Sequence, residues 1–187
     1  MSRRPPHIPL RRPVYIGCEG KSEVSYASLL QDFIREAALP VYLKIEDLGL
    51  GAGDPLSRVQ MATRRLDELR KKRDAPAKRF ILLDFDQAER DPQRADRARQ
   101  MAAENNIFIL WQRPCFEAML LRHLEGCATL QPPDTPGALK ALQKDWPEYA
   151  KPMSRVALGR RIDRTATLRA ASVEPELAAL LRCLGLL

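Results

Sequence analysis

Residues 80–86, with the sequence FILLDFD, decide the fold of this 187-residue chain. Residues 80–83 are the most apolar short run in the chain, and Asp84 and Asp86 follow this run directly. A short apolar run bounded by polar residues is typical of a buried strand. In parallel sheets, ligands bind outside the carboxyl ends of the strands. The stretch therefore predicts a buried strand with a polar site at its carboxyl end.

Similar apolar runs lie on both sides of this stretch, and helical patterns separate them. Runs rich in β-forming residues occupy positions 14–18, 41–45 and 107–111. Helical patterns occupy positions 22–37, 55–73 and 92–105. Strands that alternate with helices predict an α/β fold, here with a parallel sheet of about four strands flanked by helices.

The chain divides into three parts by composition. Residues 1–12 are rich in proline and arginine and have no apolar periodicity, which predicts a basic mobile arm. Residues 13–130 contain the alternating strands and helices, and residues 131–187 predict a helical C-terminal extension. The last helix carries a leucine stripe at helical spacing, which could pair two copies of the chain: Leu177, Leu180, Leu181 and Leu184.

The composition excludes several classes of protein. Hydrophobic residues make up 45% and charged residues 29%, which are ordinary values for a globular domain. We expect no membrane span, because no long apolar run occurs, and no secretory signal, because no apolar segment follows the N-terminal arginines. We therefore expect a cytoplasmic protein. The four cysteines are too scattered for a thiolate zinc site and should be reduced.

The basic surplus suits a polyanionic partner. The net charge is +7, from 31 Lys and Arg against 24 Asp and Glu, and binding to phosphates releases counterions. Arg64, Arg65 and Arg70 lie on a basic helical segment and are candidates for contact with nucleic acid. Lys21, beside the first predicted strand, is a further candidate. The alternative for these residues is a charged helix face that is only solvated.

Three carboxylates follow two of the predicted strands. Glu19 comes directly after residues 14–18, and Asp84 and Asp86 follow residues 80–83. Because parallel strands end at one edge of a sheet, we expect these side chains to converge. Mg²⁺ prefers a few carboxylates together with water and substrate phosphate, and it can activate water there. The alternative is that these acids cap helices or lie exposed in loops.

Two further glutamates are catalytic candidates. Glu23 lies one helical turn beyond Glu19, and Glu117 lies at another helix start within an apolar segment. Each could instead be an acid placed favourably in the first turn of its helix. His123 shares a helical face with apolar residues, which predicts a buried histidine and not a ligand. Residues 49–54, GLGAGD, lack the Gly-Lys-Ser/Thr ending of a phosphate-binding loop, so we expect an ordinary loop.

These motifs resemble those of a known family. Residues 18–23, CEGKSE, and residues 84–86, DFD, resemble the paired glutamate and DxD motifs of Toprim domains. Residues 114–123, PCFEAMLLRH, resemble a block of the RloB-like family. Tyr149 and Lys151 are similar to a late tyrosine-then-lysine segment of that family, so the resemblance runs in consistent order along most of the chain.

The resemblance implies a Toprim fold related to the nuclease domains of OLD-type proteins. Those proteins are associated with bacterial antiviral defence and abortive infection, often beside an AAA- or ABC-type ATPase. It implies that Glu19 acts as a general acid or base or as a metal ligand, and that Asp84 and Asp86 hold Mg²⁺ or Mn²⁺. Lys151 would then contact the nucleic acid. Gln87 and the pair Gln112-Arg113 depart from the family's pattern.

Three hypotheses follow from the sequence. The first is a Mg²⁺-dependent nuclease that acts on DNA or RNA. The second is a non-catalytic Toprim-like module that binds nucleic acid or docks on an ATPase. The third is a primase-like nucleotidyl transfer, for which the sequence shows no nucleoside-triphosphate site. Metal dependence separates the first two.

Overall fold

The computed structural model describes residues 11–49 and 53–187. The strands are β1 (Arg12–Cys18), β2 (Val41–Asp47), β3 (Lys78–Asp84) and β4 (Phe108–Gln112). They form one sheet in the order β2-β1-β3-β4, and every neighbouring pair is parallel. The predicted α/β fold with four parallel strands is confirmed.

Two of the sequence predictions fall partly on residues outside the described ranges. Residues 1–10 of the predicted arm and residues 50–52 of the glycine-rich loop lie outside the described residues. Arg12, which the sequence assigns to the arm, belongs to β1, because its N–H donates to the Pro40 carbonyl at 2.8 Å beside the start of β2.

Helices follow each strand and complete the chain. They are α1 (Lys21–Glu36), α2 (Pro55–Lys71), α3 (Phe85–Arg90), α4 (Pro92–Glu104), α5 (Phe116–Leu121), α6 (Thr135–Asp145), α7 (Arg155–Gly159), α8 (Arg164–Ala171) and α9 (Pro175–Leu184). Asp54 caps α2, since its side chain accepts from the N–H groups of Leu56 and Ser57. α1 begins at Lys21, one residue before the helical pattern of the sequence, and Gly20 is its N-cap.

Each face of the sheet has its own core, because alternate residues of a strand point to opposite faces. Ile16 and Leu82 belong to the core that α1 and the C-terminal helices cover. Tyr15 and Ile81 belong to the core that α2 and α4 cover. The two central strands are therefore buried on both faces, as is usual in a parallel sheet.

The helices after residue 130 pack into the first of these cores. Leu142 of α6, Leu158 of α7 and Leu177 of α9 are fully buried in the same cluster as Ile16. The other leucines of the α9 stripe are buried there too, so this stripe is not available for a contact between two copies. Periodicity identifies an apolar face but not what covers it. None of the helices in the described residues has the length and apolar character needed to cross a membrane.

The two central strands place their following residues at one edge of the sheet. β1 ends at Cys18, which lies opposite Leu82 of β3. Gly17 allows a close approach there: a Cβ at this position would lie 2.7 Å from the Leu48 side chain. A larger residue here would require the Leu48 side chain to shift.

Candidate functional site

Glu19 and Asp84 are in direct contact at the carboxyl edge of the sheet. The Asp84 backbone N–H donates to Glu19 Oε2 at 2.9 Å. The Asp84 side chain in turn accepts from the Phe116 N–H, with 2.7 Å between Oδ1 and N. These bonds join the residue after β1, the end of β3 and the start of α5. The structure therefore brings together two of the three predicted metal ligands.

Asp86 lies on the first turn of α3 and not on an extended strand, because the chain becomes helical at Phe85. The N–H groups of Phe85 and Asp86 both donate to the Pro114 carbonyl at 3.0 Å. Asp86 Oδ2 accepts from Thr135 Oγ1 at 2.9 Å and from Arg90 at 3.2 Å. Asp86 Oδ1 is buried, and the described residues provide no hydrogen-bond partner for it.

Glu117 faces the same region from α5. Its side chain is only 3% exposed, and Oε1 accepts from Lys151 Nζ and from Tyr149 Oη, each at 3.0 Å. Its Oε2 is buried and finds no hydrogen-bond partner in the described part of the chain. The Lys151 side chain is 52% exposed, so this ammonium contacts both the buried carboxylate and solvent.

The glutamates and aspartates of this edge influence one another electrostatically. Burial raises the pKa of Glu23 to about 7, and the charges of Glu19 and Glu117 add to that effect. Burial likewise raises the pKa of Asp84 well above its ordinary value, as do the charges of the three glutamates. Lys151 opposes these shifts in both groups. We call Glu19, Glu23, Asp84, Asp86 and Glu117 the carboxylate cluster.

Three further pKa shifts show how burial and charge oppose each other at the cluster. Burial raises the pKa of Glu19, while the hydrogen bond from the Asp84 N–H and the charge of Arg58 act against it. Burial would also raise the pKa of Glu117, but the charge and hydrogen bond of Lys151 outweigh it and lower the pKa. Burial would lower the pKa of Lys151, but the Glu117 charge and hydrogen bond outweigh it, and the pKa is raised.

The carboxylate cluster has some of the features of the implied Mg²⁺ site. Among residues 11–49 and 53–187, no three His, Cys, Asp or Glu side chains form a group that could hold an ion as they stand. The chemistry of the donors nevertheless fits, because the cluster contains two buried carboxylate oxygens that no described group satisfies, on Asp86 and Glu117. Mg²⁺ itself needs only one or two carboxylates with water and substrate phosphate. The metal site therefore stays a prediction.

The comparison with known proteins identifies a family. Residues 14–176 match a family model described as "RloB-like protein". This chain belongs to the RloB-like family. No curated protein and no solved structure matches it. In this RloB-like chain, the matched residues include the whole carboxylate cluster and Lys151. The relation to Toprim and OLD-type proteins rests on the motifs alone and stays a prediction.

Two side chains that contact the cluster were not predicted as site residues of this RloB-like chain. Tyr149 forms part of the resemblance, yet nothing in the sequence assigns its hydroxyl to Glu117. Thr135 begins α6 after a proline-rich break and donates to Asp86, 49 positions earlier in the chain. Contacts over such separations leave no periodic signal in a sequence.

The predicted basic residues divide into two groups by position. Lys21 begins α1 beside Glu19 and is exposed. Arg64, Arg65 and Arg70 are exposed on the second half of α2. This helix begins near the carboxyl edge and returns along the sheet, so Arg70 lies roughly 20 Å along the helix axis from its start. These arginines therefore lie at some distance from the carboxylate cluster, and their contact with nucleic acid stays a prediction.

His123 is a buried histidine, as predicted. Its Nδ1 lies 2.8 Å from the Met119 carbonyl, and its Nε2 lies 2.9 Å from the Tyr26 hydroxyl. An Nδ1–H that donates to the carbonyl leaves Nε2 to accept from the hydroxyl. Burial lowers the pKa of His123 to about 4, so the ring is neutral near pH 7. Both nitrogens are engaged within the core, and the ring is not oriented as a metal ligand.

Proposed function

We propose that this RloB-like protein is a nuclease that hydrolyses phosphodiester bonds of DNA or RNA and depends on Mg²⁺ or Mn²⁺. One observation carries the proposal: five carboxylates, two of them buried and three partly buried, gather at the ends of β1 and β3 and the starts of α1, α3 and α5, with a half-exposed lysine beside them. Groups with perturbed pKa values gather at functional sites far more often than elsewhere.

The side chains divide naturally between binding a cation and moving protons. Asp84 and Asp86 would hold the cation, with Glu19 beside Asp84. A bound cation would polarise a phosphoryl oxygen and make a bound water more acidic. Glu23 and Glu117 can accept or give up protons near the reacting groups. The ammonium of Lys151 reaches solvent and can meet a phosphate oxygen.

A nuclease assay tests this proposal directly. Labelled single- and double-stranded DNA and RNA are incubated with the protein and Mn²⁺, Mg²⁺ or a chelator. The proposal predicts cleavage that requires the cation. Cleavage of no substrate under any of these conditions would remove the nuclease assignment.

A second candidate is a non-catalytic module that binds nucleic acid or docks on an ATPase. It is favoured by the arrangement of the two aspartates, whose carboxylates are engaged with Phe116 N–H and with Thr135 and Arg90. It is also favoured by the lack, in the described residues, of three ligands grouped for one ion. An equilibrium titration with Mg²⁺ or Mn²⁺ separates the candidates, because this module needs no cation.

The biological setting is proposed from the resemblance alone. We propose a cytoplasmic role in bacterial antiviral defence together with an AAA- or ABC-type ATPase. Co-expression with an ATPase encoded beside this protein, followed by purification through a tag on one partner, tests the association. Separate elution of the two proteins at low and moderate salt would count against it.

A further inference from the structure

A cavity lies beside the carboxylate cluster. It has a volume of about 560 Å³, within the range of small-molecule sites. Phe85 and Glu89 of α3, the helix that carries Asp86, form part of its wall. Pro114, whose carbonyl accepts the N–H groups of Phe85 and Asp86, forms another part. The cavity and the cluster are therefore connected through α3 and the Pro114 carbonyl.

The wall of this cavity contains a stacked pair. The guanidinium carbon of Arg113 lies 3.7 Å from the centre of the Phe85 ring. Trp111 contacts the same ring edge-on, with 5.7 Å between ring centres, and fixes its orientation. Nearly half of the Arg113 side chain, 46%, remains exposed. Unpaired bases stack on aromatic rings and on guanidinium planes, so Arg113 offers a flat surface to such a group.

The charges of the wall favour a neutral ligand over a phosphate. Arg122 is engaged within the fold, because it pairs with Glu174 and donates to the carbonyls of Arg113 and Leu130. Arg113 lies 3.9 Å from Glu176. Glu89 adds a further carboxylate to the lining. Carboxylates repel phosphate but accept hydrogen bonds from the amino groups of bases.

We propose that this cavity receives an unpaired nucleobase of the nucleic acid whose backbone lies at the carboxylate cluster. The base stacks on the Arg113 guanidinium, and its amino group faces the carboxylates of the wall. The proposal rests on the proposed nuclease function for its substrate, and it defines that substrate as single-stranded or locally unpaired. A base within a duplex would first have to leave its stack.

Binding of two labelled strands tests this assignment. One is a short single strand of DNA, and the other has the same length but consists of abasic sites, so that only the backbone remains. Anisotropy is measured with Ca²⁺ in place of Mg²⁺, under conditions in which no strand is cut.

Three variants are compared with the wild type. Arg113→Ala removes the stacking surface, and Ala128→Trp fills the cavity from its wall. Arg99→Ala is the matched control, since it removes another exposed arginine near a ring, 5.3 Å from the Trp111 centre.

The wild type should bind the normal strand more tightly than the abasic strand. Arg113→Ala and Ala128→Trp should weaken binding of the normal strand by roughly 5- to 160-fold, the range for one lost base stack. Both should leave the abasic strand unaffected, and Arg99→Ala should change neither. Equal loss for both strands, or no loss in Arg113→Ala, would overturn the proposal. If Ala128→Trp does not fold, Arg113→Ala decides alone, because Arg113 is exposed.

The outcomes separate the cavity from the nuclease assignment. If the wild type cleaves with Mn²⁺ and Arg113→Ala binds both strands as the wild type does, the nuclease function is supported and the base pocket is ruled out. If the wild type never cleaves but Arg113→Ala abolishes its preference for the normal strand, the base pocket is supported and the nuclease function is not. A wild type that binds neither strand overturns the pocket.

Discussion

The backbone N–H of Asp84 donates a hydrogen bond to the Glu19 carboxylate over 2.9 Å. The bond connects the residue that follows β1 to the last residue of β3, so the two neighbouring strand ends hold each other in register. The donor is a backbone group, and replacing the Asp84 side chain leaves it in place. Substitutions at Asp84 can therefore test charge and metal binding without releasing Glu19.

We predict that replacing both Asp84 and Asp86 by Asn removes metal binding and cleavage while the protein stays folded. Amides keep the shape of the carboxylates but remove two charges from the cluster. A ligand at one hundred times its dissociation constant stabilises a protein by about 2.7 kcal/mol. Millimolar Mg²⁺ or Mn²⁺ should therefore raise the melting temperature of the wild type but not that of the variant.

The control for this experiment is Asp96→Asn on α4, which makes the same change at a side chain that is 77% exposed. It should keep the metal response of the wild type. A wild type whose melting temperature ignores both cations, and which cleaves nothing, would favour the non-catalytic module.

We predict that Glu23→Gln changes how stability depends on pH. Burial raises the pKa of Glu23 to about 7, so the folded state keeps this proton to a higher pH than the unfolded chain does. Stability should therefore fall as pH rises from the unfolded pKa of about 4.3 towards 7. The variant should lose this part of the fall, worth up to about 3 kcal/mol at pH 8.

Urea unfolding of both proteins between pH 4 and pH 8, with a chelator present, measures this difference. The chelator matters because a bound cation would lower the pKa of every acid in the cluster. Parallel pH profiles for wild type and variant would show that Glu23 ionises normally in the folded protein.

We predict a measurable coupling between Glu117 and Lys151 in a double-mutant cycle of Glu117→Gln and Lys151→Gln. The carboxylate is 3% exposed and the ammonium 52%. Solvent therefore screens the pair in part, and we expect a coupling free energy of about 1 kcal/mol, at the upper end for partly exposed pairs. Lys151→Gln alone should destabilise the protein more, because it leaves a buried carboxylate without its cation.

The pair Arg65 and Glu68 on α2 is the comparison for this cycle. Its N–O distance is 3.2 Å, but both side chains are more than half exposed. The same cycle there should give about 0.2–0.5 kcal/mol. Equal couplings for the two pairs would mean that the Glu117 site is hydrated.

We predict that nucleic-acid binding weakens steeply with salt and that two sets of basic residues contribute differently. Each phosphate neutralised on duplex DNA adds a slope of roughly −0.9 to log affinity against log salt. Lys21→Ala and Lys151→Ala should each flatten the slope, because Lys21 follows Glu19 by two residues and Lys151 pairs with Glu117. The triple variant of Arg64, Arg65 and Arg70 to Ala should flatten it only if bound nucleic acid extends along α2. An unchanged slope in that variant would withdraw these arginines as contacts.

The amino-acid sequence alone predicts the sheet and the edge at which the site lies. The apolar runs that precede Glu19 and Asp84 predict strands, and parallel strands must end at a common edge. This is why Glu19 could be assigned to the same region as Asp84 across 65 positions of chain. Local patterns were sufficient there, because periodicity and strand direction are properties of short segments.

The groups that complete the cluster, and those that surround it, are known from the folded structure and not from the sequence. Tyr149, Thr135 and Arg113 reach the site from segments after β4, where no periodic pattern reports their partners. The leucine stripe of α9 was visible in the sequence, but its burial against the sheet core was not. A pattern shows that a face is apolar or that a residue is charged. The packing of distant segments decides what meets it, because burial and hydrogen bonding depend on the whole set of neighbours.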